Sequence, residues 1–293
     1  MFITRITKIL LVCVLSLVLF TTSLANAGTV VTSREYKLIL VPSNFNGSNP
    51  DDAVNDYWSE LQLLVEGEPI NIEMKGSLTL AKNRTVKFYD TPGTCQLKKK
   101  DLVFRERVEN EKREVVLKFR SPDRYIAASL PISGDKPKFE EDISKPFCSK
   151  FSSSAKKKIS ATKNLNKMDD PVRLYPELKK YNFDLNEAIK EVNGLTISEK
   201  VYEGGEVDLG NKDGEFSLTL WYDSPSSTEP KIAEISFKYK DKTNEEDYSE
   251  TVASGAKKVF TAMQGMSNWV SDKSQTKTSY VYQYGTTPFC NKT

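Results

Sequence analysis

Several stretches of this chain alternate polar and apolar side chains residue by residue, and this period of two is the strongest constraint on its fold. Gly, Pro, Asn or Asp bound the stretches, as is typical of strands. They predict about eight antiparallel strands: Arg34–Val41, Ile70–Leu80, Thr85–Tyr89, Asp101–Val108, Glu114–Arg120, Leu195–Tyr202, Glu215–Tyr222 and Ile232–Tyr239. Eight strands can close a barrel of small bore. We therefore expect an α+β protein in which an eight-stranded, antiparallel closed β-barrel carries helices on its outside.

Apolar residues at helical spacing predict the helices of this fold. They occur in Pro171–Tyr181 together with Asp184–Val192, and in the longer stretch Thr251–Ser271. The apolar face of the longer helix is expected to pack against the sheet. Between the two halves, residues 149–167 are rich in Ser, Lys and Asn, which favours a linker or exposed loop. Pairing of strands across this linker would make residues 28–293 a single domain.

The N-terminus has the pattern of an export signal. Arg5 and Lys8 precede an apolar run, Ile9–Phe20, and Ala25-Asn26-Ala27 supplies small residues for cleavage. A transmembrane helix needs about 20 apolar residues, and this run is shorter. We expect residues 1–27 to be a cleaved signal peptide, and the product to be periplasmic or secreted without stable insertion in a membrane.

Composition removes several classes of function. The chain contains no His, which excludes Ser-His and Cys-His nucleophile pairs and every metal site that uses His. Its formal charge is +2, with 42 Lys and Arg against 40 Asp and Glu, so no bulk field favours nucleic acid or an anionic membrane. The groups that remain for binding or catalysis are carboxylates, amines, guanidinium groups, hydroxyls and ions held by oxygen ligands.

Three cysteines follow the predicted signal: Cys95, Cys148 and Cys290. No C-x-x-C spacing accompanies them, which argues against a metal site. In an exported protein, one disulfide and one free thiol is the natural arrangement. All three pairings are open, and we favour Cys148 with Cys290 because this bridge would fix the C-terminus.

Charged residues two apart share one face of a predicted strand, since neighbouring side chains point to opposite faces. Arg105 with Arg107 and Lys118 with Arg120 are pairs of this kind. Others are Glu35 with Lys37, Glu140 and Asp142 with Lys138, and Glu234 with Ser236 and Lys238. One explanation is a sheet with a solvated face. The other is a closed barrel with a polar interior that binds a multiply charged anion, where the interleaved carboxylates suggest an added divalent ion.

Several motifs, in their order, resemble the CYTH family, the triphosphate tunnel metalloenzymes. Tyr89-Asp90-Thr91-Pro92 resembles the family's turn, and the arginine pair of Phe104-Arg105-Glu106-Arg107 and the strand Val116-Leu117-Lys118-Phe119-Arg120 follow it. Lys138-Phe139-Glu140-Glu141-Asp142 resembles a basic-x-acid-x-acid strand, and Ala233-Glu234-Ile235-Ser236 a late E-x-E strand. The similarity spans about Ser33 to Lys240.

The resemblance implies metal-dependent hydrolysis of triphosphate or polyphosphate inside the tunnel. Mg²⁺ or Mn²⁺ would then be the cofactor, and inorganic polyphosphate or an extracellular nucleotide the substrate, with the cyclase branch disfavoured. The implied phosphate-binding residues are Lys37, Arg105, Arg107, Lys118, Arg120 and Lys238. The implied metal ligands are Glu35, Glu140, Asp142 and Glu234.

Two departures from the family pattern bear on activity. Ser33 stands where the first Glu of the family's E-x-E-x-K belongs, and Ser236 takes the second acidic position of the late strand. Hard divalent ions prefer anionic oxygens, so two hydroxyls in place of carboxylates should weaken the metal site. The alternatives are therefore an exported barrel that binds polyphosphate or another polyanion without catalysis, and an exported interaction protein with no ligand in its tunnel. The sequence leaves the oligomeric state open.

Overall fold

A computed structural model describes residues 30–273 and 275–291 of the chain; the predicted signal peptide lies outside these residues. Ten strands in this part of the chain make up one sheet. They are β1 (Ser33–Leu40), β2 (Met74–Lys75), β3 (Thr79–Asp90), β4 (Leu102–Glu109), β5 (Lys112–Ser121), β6 (Asp135–Ser144), β7 (Cys148–Ile159), β8 (Lys190–Asp208), β9 (Asp213–Tyr222) and β10 (Ile232–Lys240).

Nine of these strands close into a barrel, in the order β8-β3-β4-β5-β7-β6-β1-β10-β9, and β9 returns to β8. β2 lies outside the ring and pairs only with β8. The pairing of β1 with β6 is parallel, whereas the other neighbours in the ring are antiparallel. The expected closed barrel is confirmed, but the prediction of eight purely antiparallel strands is wrong. That count lacked two strands of the ring, β6 and β7, and included Ile70–Leu80, which contains only β2 and the start of β3.

The stretch predicted as a linker, residues 149–167, is the main source of this error. Residues 149–159 of this stretch belong to β7, which pairs with β5 on one side and β6 on the other. Ser152 and Ser154 stand opposite Arg120 and Lys118 in this pairing. Small polar side chains suit a strand whose inward face is polar, so a composition typical of loops here belongs to a central strand.

Five α-helices occur among the described residues: α1 (Asp51–Glu66), α2 (Arg124–Ala128), α3 (Asp169–Leu174), α4 (Glu250–Gly265) and α5 (Lys277–Gln283). Three short 3-10 turns lie at Pro42–Phe45, Lys98–Lys100 and Pro176–Tyr181. The predicted helices near 171–181 and 251–271 are present in shortened form, but Asp184–Val192 is not helical and its end already belongs to β8. No helix in the described part of the chain is long and apolar enough to cross a bilayer.

The main apolar core lies between the barrel wall and the helices outside it. The largest cluster joins α1 and α4 to the outer face of β1, β8, β9 and β10, with Tyr36 stacked on Phe237 at 4.9 Å between ring centroids. A second cluster covers β4, β5 and β7 with the segment around α3, where Tyr175 is fully buried. Because apolar residues face outward to these layers, the alternate positions face the barrel interior.

The disulfide joins Cys95 to Cys290, and Cys148 is free and exposed. The favoured pairing of Cys148 with Cys290 is therefore wrong, although one bridge and one free thiol among the three is the count we expected. Cys95 lies in the turn after β3, where the C-terminal tail returns, and the two Cα atoms are 5.5 Å apart. Cys148 begins β7, and nothing in its sequence position distinguishes it from Cys95.

Candidate functional site

The interior of the barrel is a cavity of about 720 Å³ lined by charged side chains. All ten residues singled out from the sequence line this one cavity. They are Glu35, Lys37, Arg105, Arg107, Lys118, Arg120, Glu140, Asp142, Glu234 and Lys238. Alternation along each strand explains why these residues lie together. Side chains two residues apart share a face, so both members of each charged pair point into the barrel, whatever the register of the neighbouring strands.

The wall built by β4 and β5 carries the densest positive charge. Arg105 lies opposite Val116, and Val103 opposite Lys118, so the cations of the two strands alternate along the cavity. The Nε atoms of Arg105, Arg107 and Arg120 are buried and have no hydrogen-bond partner among the described residues. For Arg120 the nearest acidic oxygen, Asp142 Oδ2, is 3.7 Å away, which is beyond hydrogen-bonding distance. Buried donors without a partner are costly, and a bound acceptor would satisfy them.

Burial and mutual repulsion depress the pKa values of this wall. Burial lowers the pKa of Arg105, and the charge on Arg107 lowers it further. Burial also lowers the pKa of Lys118 to about 8, against the opposing effect of Asp142. The folded protein thus holds these cations together at a free-energy cost, which a multiply charged anion would offset.

Asp142, which also lines the cavity, neutralises part of this charge. Its carboxylate accepts from Lys37 Nζ at 2.8 Å and from Lys118 Nζ at 2.9 Å. Burial would raise the pKa of Asp142, but Lys118 and Lys37 outweigh it and hold that pKa well below its usual range. Lys37 also lies 2.9 Å from Glu35, whose pKa falls to about 2 because Lys37 overcomes the effect of burial. Both carboxylates are therefore ionised at neutral pH.

The other two predicted metal ligands also contact cations. Glu140 accepts from Ser33 Oγ at 3.0 Å and from Lys138 Nζ at 3.3 Å, so Ser33 holds a carboxylate rather than supplying one. Glu234 pairs with Lys277 at 2.9 Å. Within residues 30–273 and 275–291, no three acidic or cysteine side chains gather in a way that could hold a metal ion. Each of the four carboxylates is instead paired with a lysine in this structure, and their role as metal ligands stays a prediction.

Sequence reasoning missed several residues of the cavity. Arg84 on β3 is bound to Glu199 on β8, which also accepts from Trp221 Nε1 at 2.9 Å. Glu199 lies within a predicted strand and shares a face with Val201, so the alternation carried the signal for it. No such signal marks Lys277, because its helix lies outside the barrel and reaches the cavity only through the return of the C-terminal chain.

Comparisons with known proteins return matches among solved structures only; no family model and no curated protein matches the chain. A Hippeastrum protein provisionally named an adenylyl cyclase, and described as having a dominant triphosphatase activity, is 14% identical over 88% of this chain and 99% of that chain, with a TM-score of 0.46. A Bacillus halodurans protein, provisionally named an adenylate cyclase, is 12% identical over 84% and 95%, with a TM-score of 0.39. A protein of Pyrococcus horikoshii OT3 is 14% identical over 78% and 89%, with a TM-score of 0.34. Similarity at this level does not decide function, which has to be argued from the cavity itself.

Proposed function

We propose that the protein binds a linear phosphate chain, of the triphosphate or polyphosphate class, inside its barrel and does so without a metal ion. The observation that carries this proposal is the row of half-buried arginines on β4 and β5 that line the cavity, whose buried Nε atoms lack partners among the described residues. Guanidinium groups match phosphate oxygens in geometry as well as in charge. Phosphate oxygens would supply the missing acceptors and the missing negative charge together.

The distribution of charge supports a polyanion rather than a singly charged ligand. Among the described residues, fifteen Lys and Arg but only eight Asp and Glu line the cavity, whereas the full sequence carries a formal charge of only +2. The excess positive charge of this protein is therefore concentrated inside the barrel. Low-dielectric walls strengthen such a field, and a short linear anion with several charges along its length gains more from it than a compact monoanion.

Hydrolysis of the bound chain with Mg²⁺ or Mn²⁺ is the second candidate. The observation in its favour is that Glu35 and Asp142 stand side by side in the parallel pairing of β1 with β6. Lys37 contacts both carboxylates in this structure, at 2.9 Å and 2.8 Å. Because that lysine already neutralises the pair, binding without turnover is the first proposal and hydrolysis the second.

Calorimetry with tripolyphosphate tests the proposal, run in parallel with a phosphate-release assay in Mg²⁺, Mn²⁺ or a chelator. We expect binding in chelator and no metal-dependent release. Arg105→Gln should weaken binding at least about tenfold, since a charge-assisted hydrogen bond is lost from the cavity. Lys112→Met is the matched control, because Lys112 is an exposed cation on β5 outside the cavity.

The outcomes separate the three functions. Equal binding by the parent, Arg105→Gln and Lys112→Met would show that the anion does not enter the barrel. No binding by the parent would leave a barrel without a ligand, as in an interaction protein. Metal-dependent phosphate release by the parent would establish the second candidate in place of the first.

A further inference from the structure

The C-terminal segment, residues 276–290, is fastened to the turn that follows β3. The disulfide joins Cys290 to Cys95 in that turn. Tyr282 Oη donates to Asp90 Oδ2 at 2.7 Å, and the backbone N–H of Gly93 donates to the carbonyl of Phe289 at 2.7 Å. Asn193 Nδ2 also donates to the carbonyl of Val281 at 2.8 Å, so several attachments, one of them covalent, hold α5 against one end of the barrel.

The turn is itself a rigid anchor. The carboxylate of Asp90 is fully buried and accepts from the backbone N–H groups of Thr91, Leu97 and Lys98 at 2.8–3.0 Å. Cys95 is 1% exposed and packs in an apolar cluster with Val281 and Tyr282 of α5. A segment tied to such a turn takes a defined position relative to the barrel wall.

This position brings Lys277, at the start of α5, to the cavity. Its Nζ lies 2.9 Å from Glu234 Oε1 and 5.4 Å from the centre of the Trp221 ring. The side chains of Lys277 and Glu234 are only 19% and 17% exposed. Lys277 thus neutralises the charge of a carboxylate on the cavity wall. Without Lys277, Glu234 would present an unpaired negative charge to an incoming anion.

We propose that Lys277 determines the affinity of the cavity for phosphate chains, and that the Cys95–Cys290 disulfide keeps it in place, so that reduction of this bond weakens anion binding. The inference rests on the proposed function and adds a residue and a redox dependence to it. The chemistry is ordinary exchange with a dithiol: the S–S bond breaks, each sulfur gains one electron and one proton, and the dithiol closes to its own disulfide. Once released, α5 would no longer hold the ammonium group beside Glu234.

The experiment measures tripolyphosphate affinity by calorimetry in chelator, together with hydrogen exchange of residues 277–283, for oxidised and dithiothreitol-treated protein. We expect reduction, and equally Cys290→Ser, to weaken binding about tenfold and to speed exchange in α5. Lys277→Met should weaken binding by a similar factor without changing exchange. Combining it with Glu234→Gln should restore the affinity to within about twofold of the parent. Cys148→Ser is the matched control, because it removes the exposed thiol and keeps the disulfide.

Equal affinity in the oxidised, reduced and Lys277→Met proteins would overturn this inference while leaving the proposed function intact. Exchange in α5 that is unchanged by reduction would overturn the redox part, because the non-covalent attachments would then suffice. No binding by the oxidised parent would overturn the proposed function and this inference with it. Loss of binding in Cys148→Ser would show that the effect comes from a thiol other than those of the bridge.

Discussion

Replacement of Asp142 by Asn is the sharpest perturbation of the cavity, because this one carboxylate forms ion pairs with three cations. Lys37 and Lys118 donate to it at 2.8 Å and 2.9 Å, and Arg120 lies at 3.7 Å. The substitution keeps the size of the side chain and removes the negative charge that faces Lys37 and Lys118. It should make the protein less stable and its affinity for polyanions higher.

The size of the gain follows from the geometry. A phosphate oxygen that binds Lys118 from the side away from Asp142 lies within about 6 Å of that carboxylate, given hydrogen bonds of ordinary length. Two unit charges at this distance repel by about 2 kcal/mol once screening is included, or roughly 30-fold in affinity for each phosphate charge so placed. The loss of a buried partner should cost about 3 kcal/mol of unfolding free energy.

The assay is calorimetry with tripolyphosphate in chelator at pH 6, alongside urea unfolding. The acidic pH keeps Lys118 protonated, because burial lowers its pKa and Asp142 is the neighbour that opposes this effect. Asp135→Asn on the same strand is the control, since Asp135 is exposed at the far end of β6. Weaker binding by Asp142→Asn than by this control would refute the electrostatic reasoning, and would show that Asp142 helps to hold the anion through its cations.

Three further predictions concern stability and thiols. The pKa of Glu199 falls to about 2 because Arg107 and Arg84 outweigh the effect of burial. Its carboxylate therefore contributes about 3 kcal/mol to the free energy of unfolding above pH 4.5, and this contribution is lost as the pH falls toward 2. Glu199→Gln should flatten that acid loss in urea unfolding at pH 3 and pH 7, and an unchanged slope would contradict the assignment. Protein produced from residue 28 onward should titrate with one thiol when denatured without reductant, and Cys148→Ser with none; any thiol left in the variant would mean an incomplete disulfide. Gly205→Ala should lower the melting temperature, at a cost of about 1–3 kcal/mol, because a Cβ there would overlap the ring of Trp58, and an unchanged melting temperature would show that the ring can move aside.

The composition of the cavity could be predicted from the sequence because it depends only on the period of two. Arg105 and Arg107 share a face in any strand that contains both, and the apolar residues between them fix which face is outward. The number of strands depends on elements whose composition is ambiguous. β7 is rich in Ser and Lys because its inward face is polar, and a stretch of that composition in isolation is typical of a loop.

Features set by long-range packing could not be predicted in the same way. The pairing of Cys290 with Cys95 depends on where the tail returns, and three cysteines at wide spacing carry no such information. Lys277 enters the cavity from a helix outside the barrel, so strand alternation does not mark it. α1 is different, because Val54, Trp58, Leu61 and Val65 are spaced three or four apart and all are buried. The helical spacing of these apolar residues is visible in the sequence, but α1 is not among the helices predicted from it.

The position of β1 in the sheet has a consequence for folding. This strand comes first among those described, yet both of its neighbours come much later: Ser33 stands beside Glu140, 107 residues on, and opposite Lys240 in β10. Contacts between residues so far apart in the sequence form late and slowly, because closing the long loop between them costs chain entropy before the contacts contribute any stability. Glu35 and Lys37 therefore join the other cavity residues only when the ring closes. A partly folded intermediate with an open ring would have no complete cavity, so a bound ligand should slow global unfolding and leave earlier folding steps unchanged.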